Sequence, residues 1–127
     1  MTDEPDGPRE YDREYTTRLA TTVRRRLGYS HDRGDVTRFV VQLEYRLEGE
    51  WTPIVRYDHD PASEHGHDVT DEGLHIDVYC DDEKYRTEYV APPMPAGVAL
   101  DFAEDHLRKN TQQFVTRFEE WHEIRNR

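Results

Sequence analysis

Val36-Thr37-Arg38-Phe39-Val40-Val41-Gln42-Leu43-Glu44-Tyr45-Arg46-Leu47, followed by Glu48-Gly49-Glu50 and then Trp51-Thr52-Pro53-Ile54-Val55-Arg56-Tyr57-Asp58, is the stretch that decides the fold. Phe39, Val41, Leu43, Tyr45 and Leu47 recur at every second residue and alternate with Arg38, Gln42, Glu44 and Arg46, the period of a strand with one apolar face. The acidic turn with its central glycine sends the chain back as a second strand. Its inner face is expected to carry Trp51, Val55 and Tyr57, and its outer face Ile54, Arg56 and Asp58.

Downstream, Leu74, Ile76 and Val78 alternate with His75, Asp77 and Tyr79. Asp81-Asp82-Glu83 then turns the chain into Tyr85, Thr87 and Tyr89, which alternate with Arg86 and Glu88 and predict a second hairpin. Ala91-Pro92-Pro93-Met94-Pro95 closes the sheet, because proline cannot donate to a ladder. Beyond Gly97, the residues Leu100, Ala103, Leu107, Phe114, Phe118 and Trp121 share one stripe of a long helix that should cover the inner sheet face. Upstream, Tyr15, Leu19, Val23 and Leu27 recur at i+4 spacing with Gly28 as a stop, which predicts an N-terminal helix. Residues 1–10 are acidic and proline-bearing and are expected to be a disordered leader, leaving 11–127 as a single domain. The expected fold class is α+β: a four-stranded antiparallel β-meander with an N-terminal helix and a long C-terminal helix packed on one face.

The net charge of -11 arises from 28 acidic against 17 basic residues, and Lys84 and Lys109 are the only lysines. Self-repulsion of that size weakens a small domain in dilute buffer and is screened in molar salt, where the Debye length falls to about 3 Å. The composition points to a halophilic, haloarchaeal acidic protein whose stability rises with salt. Cys80 is the sole cysteine, so an internal disulfide and a thiolate-rich zinc site are excluded and a reducing compartment is expected. The first ten residues lack a basic and apolar leader pattern, and no stretch approaches a membrane span. A cytoplasmic location without membrane contact follows as the expectation.

Between Arg56 and Asp77 the chain gathers four of its seven histidines with several carboxylates, the side chains that move protons and hold divalent cations near neutral pH. If the two hairpins pair as neighbours, Arg56, Asp58, His75 and Asp77 all project from the sheet face opposite the helix, and the loop with His65, His67 and Asp68 leaves from its end. Three readings stay open. The face is a solvated surface of an acidic protein; or His65, His67 and Asp58, with His75, hold a divalent metal; or His67 or His75 exchanges protons while Arg56 grips a phosphate or carboxylate, with Asp77 beside it. Arg24-Arg25-Arg26, with Arg18 on the same expected helix, either meets nucleic-acid phosphates or offsets acidic neighbours at the helix end.

The runs Phe39 to Tyr45 and Trp51 to His59, with Gly66-His67-Asp68, Glu72-Gly73-Leu74-His75 and the closing helix, resemble an uncharacterised family of small haloarchaeal proteins over residues 36 to 121. More distantly, Tyr57-Asp58, the closely spaced His65 and His67 and the terminal helix resemble the TumE-type toxins of toxin–antitoxin modules. In that family a basic glycine-rich segment stands where this chain has Asp60-Pro61-Ala62-Ser63-Glu64. The resemblance implies a component that binds or processes a phosphate-bearing ligand, with Asp58, His65 and His67 as the catalytic set. The alternative is a non-enzymatic module that meets a protein partner or forms a homo-oligomer.

Overall fold

The alternation of residues 36–58 is realised as two strands of a larger sheet than expected. The structure is a computed structural model that describes residues 10–64 and 66–124. Its elements are β1 (Arg13–Ala20), β2 (Val23–Asp32), β3 (Asp35–Leu47), β4 (Glu50–His59), the one-turn α1 (Val69–Glu72), β5 (Leu74–Cys80), β6 (Glu83–Ala91) and α2 (Ala96–Trp121). The strands form one antiparallel sheet in the order β1-β2-β3-β4-β5-β6. Of the leader assigned to 1–10, all but Glu10 lies outside the described residues, as do His65 and residues 125–127.

The fold is α+β with a C-terminal helix on the sheet, but the sheet has six strands rather than four. Among the described residues no helix precedes it. Where one was expected, β1 and β2 are joined by a short turn at Thr21 and Thr22. An i+4 spacing is even, so it also keeps residues on one face of a strand, and Thr16, Thr17, Thr21, Thr22 and Val23 are β-branched residues that favour extended backbone. Gly28 is not a helix stop but a mid-strand residue paired with Val40. A Cβ there would press on the buried Tyr11 ring at 2.8 Å, so the glycine lets that ring lie on bare backbone.

Three of the hairpin turns place two successive residues at positive φ: Arg33 and Gly34, Glu48 and Gly49, Asp81 and Asp82. That is the type I′ geometry, whose twist matches the flanking strands. Every residue of β1 is exposed, and Arg13, Glu14 and Arg18 put charge on this open edge, which discourages pairing with another chain.

Phe39, Val41 and Leu43 of β3, Val55 and Tyr57 of β4, and Leu74, Ile76 and Val78 of β5 cluster with Ala99, Ala103, Leu107 and Phe118 of α2. The Tyr57 hydroxyl lies 2.7 Å from His106 Nδ1, and the Tyr45 hydroxyl donates to Glu119 at 2.8 Å, tying the sheet to the helix. A bulge separates the pairs Leu43–Val55 and Glu44–Pro53. It accommodates a proline that cannot donate and reverses the facing of the residues before it. Ile54, expected outside, is therefore 2 % exposed, whereas Trp51 leaves the inner face and packs under the guanidinium groups of Arg18 and Arg24 at 5.1 and 4.3 Å. Tyr85 and Tyr89 also miss the core, at 60 % and 63 % exposure, and the register sets Tyr89 across from His75 on the polar face. Among the described residues no helix is long and apolar enough to cross a membrane.

Candidate functional site

The register of β4 on β5 pairs Arg56 directly with Asp77. Directly opposed residues share a face, so Asp58, two residues beyond Arg56, and His75, two before Asp77, point the same way, away from α2. The loop between the strands is clipped at its neck by the Asp60 N–H, which donates to the His67 carbonyl at 2.8 Å. On its far side Asp68 caps α1, accepting from the Thr70 N–H at 3.0 Å and the Thr70 hydroxyl at 2.6 Å. His67, held between clip and cap, is laid over the strand face. Gly66 permits this, because a Cβ there would overlap the Asp60 carbonyl oxygen.

His67 Nε2 lies 3.3 Å from Asp77 Oδ1 and 3.9 Å from Asp58 Oδ1, while Nδ1 lies 3.4 Å from Glu72 Oε1. The ring stacks on His75 with centroids 5.4 Å apart and planes 10° apart. His75 in turn sits 3.3 Å from the Gly73 carbonyl through Nδ1 and edge-on to Tyr89. Asp77 Oδ1 also accepts from the Thr87 hydroxyl at 2.7 Å, and its Oδ2 lies 3.3 Å from Lys84 Nζ. Arg56 donates to Gln42 at 3.5 Å and has no carboxylate within ion-pair distance among the described residues.

Asp58 is only 7 % exposed, and its Oδ1 is buried with no hydrogen-bond partner among the described residues. Buried polar atoms are paired in the great majority of cases, so an orphan marks a place to ask what else binds there. It lines a cavity of about 290 Å³ together with Arg56, Asp77, Tyr79 and Lys84. Two roomier depressions lie elsewhere: one of about 550 Å³ by Tyr11, Arg24 and Arg26, and one of about 920 Å³ by Pro95, Val98 and Leu100. The smaller cavity is the candidate because convergent ionisable groups, rather than volume, define a reactive site.

The two carboxyls are driven apart. Burial pushes the Asp58 carboxyl up, against the pull of His67 and Arg56. Burial acts on Asp77 in the same sense, but the hydrogen bonds from His67 and Thr87 and the Lys84 ammonium outweigh it and hold Asp77 down at about 2. The hydrogen bond to Asp77, opposed by burial and aided by the Asp58 charge, pushes His67 up to about 9. Such divergence between neighbouring carboxyls is the pattern that separates an acid from a base.

The linkage gives a pH prediction. The stabilisation carried by a raised His67 is fully present below pH 6.5 and is lost as pH rises through about 9; that carried by a lowered Asp77 is present above pH 3.8 and lost as pH falls through about 2. The pair should contribute its full share, about 1–2 kcal/mol after allowance for solvent screening, between those inner limits. Proton NMR of the His67 ring is expected to show a midpoint near 9 that Asp77→Asn moves down towards 6.5. A wild-type midpoint at 6.5 would refute the pairing.

Of the residues singled out in the sequence, Asp58, Asp77 and Arg56 line this cavity, His67 joins them through its approach to Asp58 and Asp77, and His75 backs His67. His65 lies outside the described residues. His59, from the same run, is a structural residue: it is buried against Phe39, its Nδ1 accepts the Val69 N–H at 3.1 Å, and burial lowers its pKa. Arg24 and Arg26 share a face with Glu44 and pair with it at 2.6 and 3.4 Å, so part of that basic run is internally neutralised. Sequence reasoning missed Lys84, Thr87 and Glu72. Thr87 stands directly opposite Asp77 in the ladder, and Lys84 reaches it from beyond the shift between Val78 and Tyr79, whereas Glu72 carried a readable signal, its place in the first turn after an Asp68 cap.

The model of a family described as Domain of unknown function (DUF7718) matches residues 8–124. No curated protein and no solved structure matches the chain.

Proposed function

The chain belongs to this family of domains of unknown function, and from that premise we propose that the polar face of its sheet binds a phosphate-bearing ligand and carries out acid–base chemistry on it. The observation that supports this most is the buried Asp58 Oδ1, without a hydrogen-bond partner among the described residues, on a residue lining a cavity where Arg56 and Lys84 stand among the carboxylates of Glu10, Asp60 and Asp77. Arg56 offers a planar two-pronged donor suited to phosphate, and Lys84 a mobile point charge. Asp77 and Glu72 orient His67, and Asp58, whose charged form burial disfavours, exchanges the proton.

A toxin–antitoxin-like role is the cellular setting proposed for this site. A non-enzymatic interaction module is the second reading; exposed Val98 and Phe102 on α2 favour it, whereas the charged β1 edge does not. Calorimetry with inorganic pyrophosphate and with adenosine monophosphate tests the ligand. Binding is expected to weaken about tenfold or more in Arg56→Ala, the loss of one charge-assisted hydrogen bond. Equal affinities in wild type and Arg56→Ala would remove the ligand reading. Growth arrest on expression, relieved by His67→Ala, would support the toxin setting, and indifferent growth would remove it.

A further inference from the structure

The imidazole leaves one thing unaccounted for on this face. Nε2 has a single proton to give, and the shorter approach, 3.3 Å, is to Asp77. The 3.9 Å separation from Asp58 Oδ1 is too long for a hydrogen bond. A carboxylate oxygen more than nine-tenths buried is thus aimed at the same point as an imidazole nitrogen and a second carboxylate oxygen, with no donor of its own among the described residues. We propose that Asp58 Oδ1, His67 Nε2 and Asp77 Oδ1 are three ligands of a divalent transition-metal ion, zinc or manganese in kind, with its remaining position open to the cavity.

The spacing fits. A tetrahedral ion with bonds of about 2.0–2.2 Å to nitrogen and oxygen sets its ligands about 3.4 Å apart, and here the three donor atoms all lie within 4.8 Å of one another, two of the edges at 3.3 and 3.9 Å. The surroundings fit as well. Glu72 accepts from the nitrogen of His67 that faces away from the three donors, the carboxylate–histidine–metal arrangement that fixes a ligand's tautomer and ring plane. Thr87 steadies Asp77 through the ligating oxygen, and Lys84 engages the other oxygen, leaving Oδ1 directed at the site.

Three protein ligands and an open position describe an ion that works on a bound molecule rather than one that only holds a fold. An oxyanion of the ligand, with Arg56 and Lys84 beside it, is the natural fourth donor. The inference rests on the reading of this face as a phosphate-ligand site and replaces its acid–base part, because an ion held by Asp58 and His67 leaves neither side chain free to exchange a proton. Two other clusters compete: His67, Glu72 and His75, and Cys80, Asp81 and His122. The first shares His67 but lacks a buried orphan; the second has one in His122 Nε2, but its carboxylate, Asp81, is 80 % exposed at the β5–β6 turn.

The test is calorimetric titration of the full chain, stripped with chelator, with zinc chloride and with manganese chloride in phosphate-free buffer. One ion per chain is expected, weakened more than tenfold in Asp58→Asn and about ten- to hundredfold in Glu72→Gln, and unaltered in Cys80→Ser. Asp58→Asn keeps the shape and removes a buried charge, so its fold, checked by circular dichroism, should survive. Absence of stoichiometric binding, or binding lost in Cys80→Ser and kept in Asp58→Asn, overturns the proposal. Pyrophosphate binding by a protein that takes no metal overturns it while leaving the phosphate reading in place. Metal binding without pyrophosphate binding sustains it and removes the phosphate reading.

Discussion

Phe39→Ala is expected to lower the free energy of unfolding by about 3–5 kcal/mol, the range for truncating a fully buried aromatic ring. Phe39 has no exposed surface and lies in the middle of β3, the strand that α2 crosses. Its ring stacks on His59 with centroids 5.9 Å apart, and His59 holds the first amide of α1 through Nδ1. The loss should therefore not stop at the core. Freed of its packing, His59 loses its hold on Val69, and the short helix that carries Glu72 and follows His67 loosens with it. Urea unfolding followed by fluorescence gives the first quantity. The second is a fall of the His67 midpoint from near 9 while the chain is still folded. A loss under 1 kcal/mol would mean that this cluster does not carry the fold.

Asp77→Ala should be the costliest change in the site, at about 2–4 kcal/mol near pH 6. Its carboxylate is buried, hydrogen-bonded to His67 and Thr87 and ion-paired with Lys84, so deletion strands three partners rather than one. Because Lys84 can turn to water, being 44 % exposed, the cost should fall short of that for a fully enclosed pair. Combining Asp77→Ala with His67→Ala should cost clearly less than the two changes summed, since the imidazole has then no lost partner to miss. Additive losses would show that the two side chains do not interact.

The strands of both inner hairpins were readable because apolar residues recur at every second position from Phe39 to Leu47 and from Leu74 to Val78, with Val40 the one apolar residue out of step. The polar face could be assembled in advance for the same reason: Arg56, Asp58, His75 and Asp77 are separated by even steps along neighbouring strands. What escaped was governed by features without a local signature. Tyr15, Leu19, Val23 and Leu27 satisfy a helix and a strand equally, and what decided between them is the pairing of β2 with β3, Val23 opposite Tyr45 and Leu27 opposite Val41. The bulge opposite Leu43 moved Trp51 to the far side, and the ladder shift near Tyr79 brought Lys84 to Asp77. A single inserted residue changes the facing of everything beyond it, and periodicity alone does not announce where it falls.

The strict sequence order of the strands has a consequence for how the chain opens and closes. Three of the four joints within the sheet other than β4–β5, and the Thr21–Thr22 joint with them, are two-residue reversals, whereas β4 and β5 are separated by the whole span 60–73. Among the described residues that seam has two register pairs, Val55 with Val78 and Arg56 with Asp77. Native-state hydrogen exchange should therefore divide the sheet into two cooperative blocks, with the β5–β6 pair exchanging apart from the rest. The ionisable cluster sits astride the line along which these blocks part, so whatever it grips would act as a rivet between them.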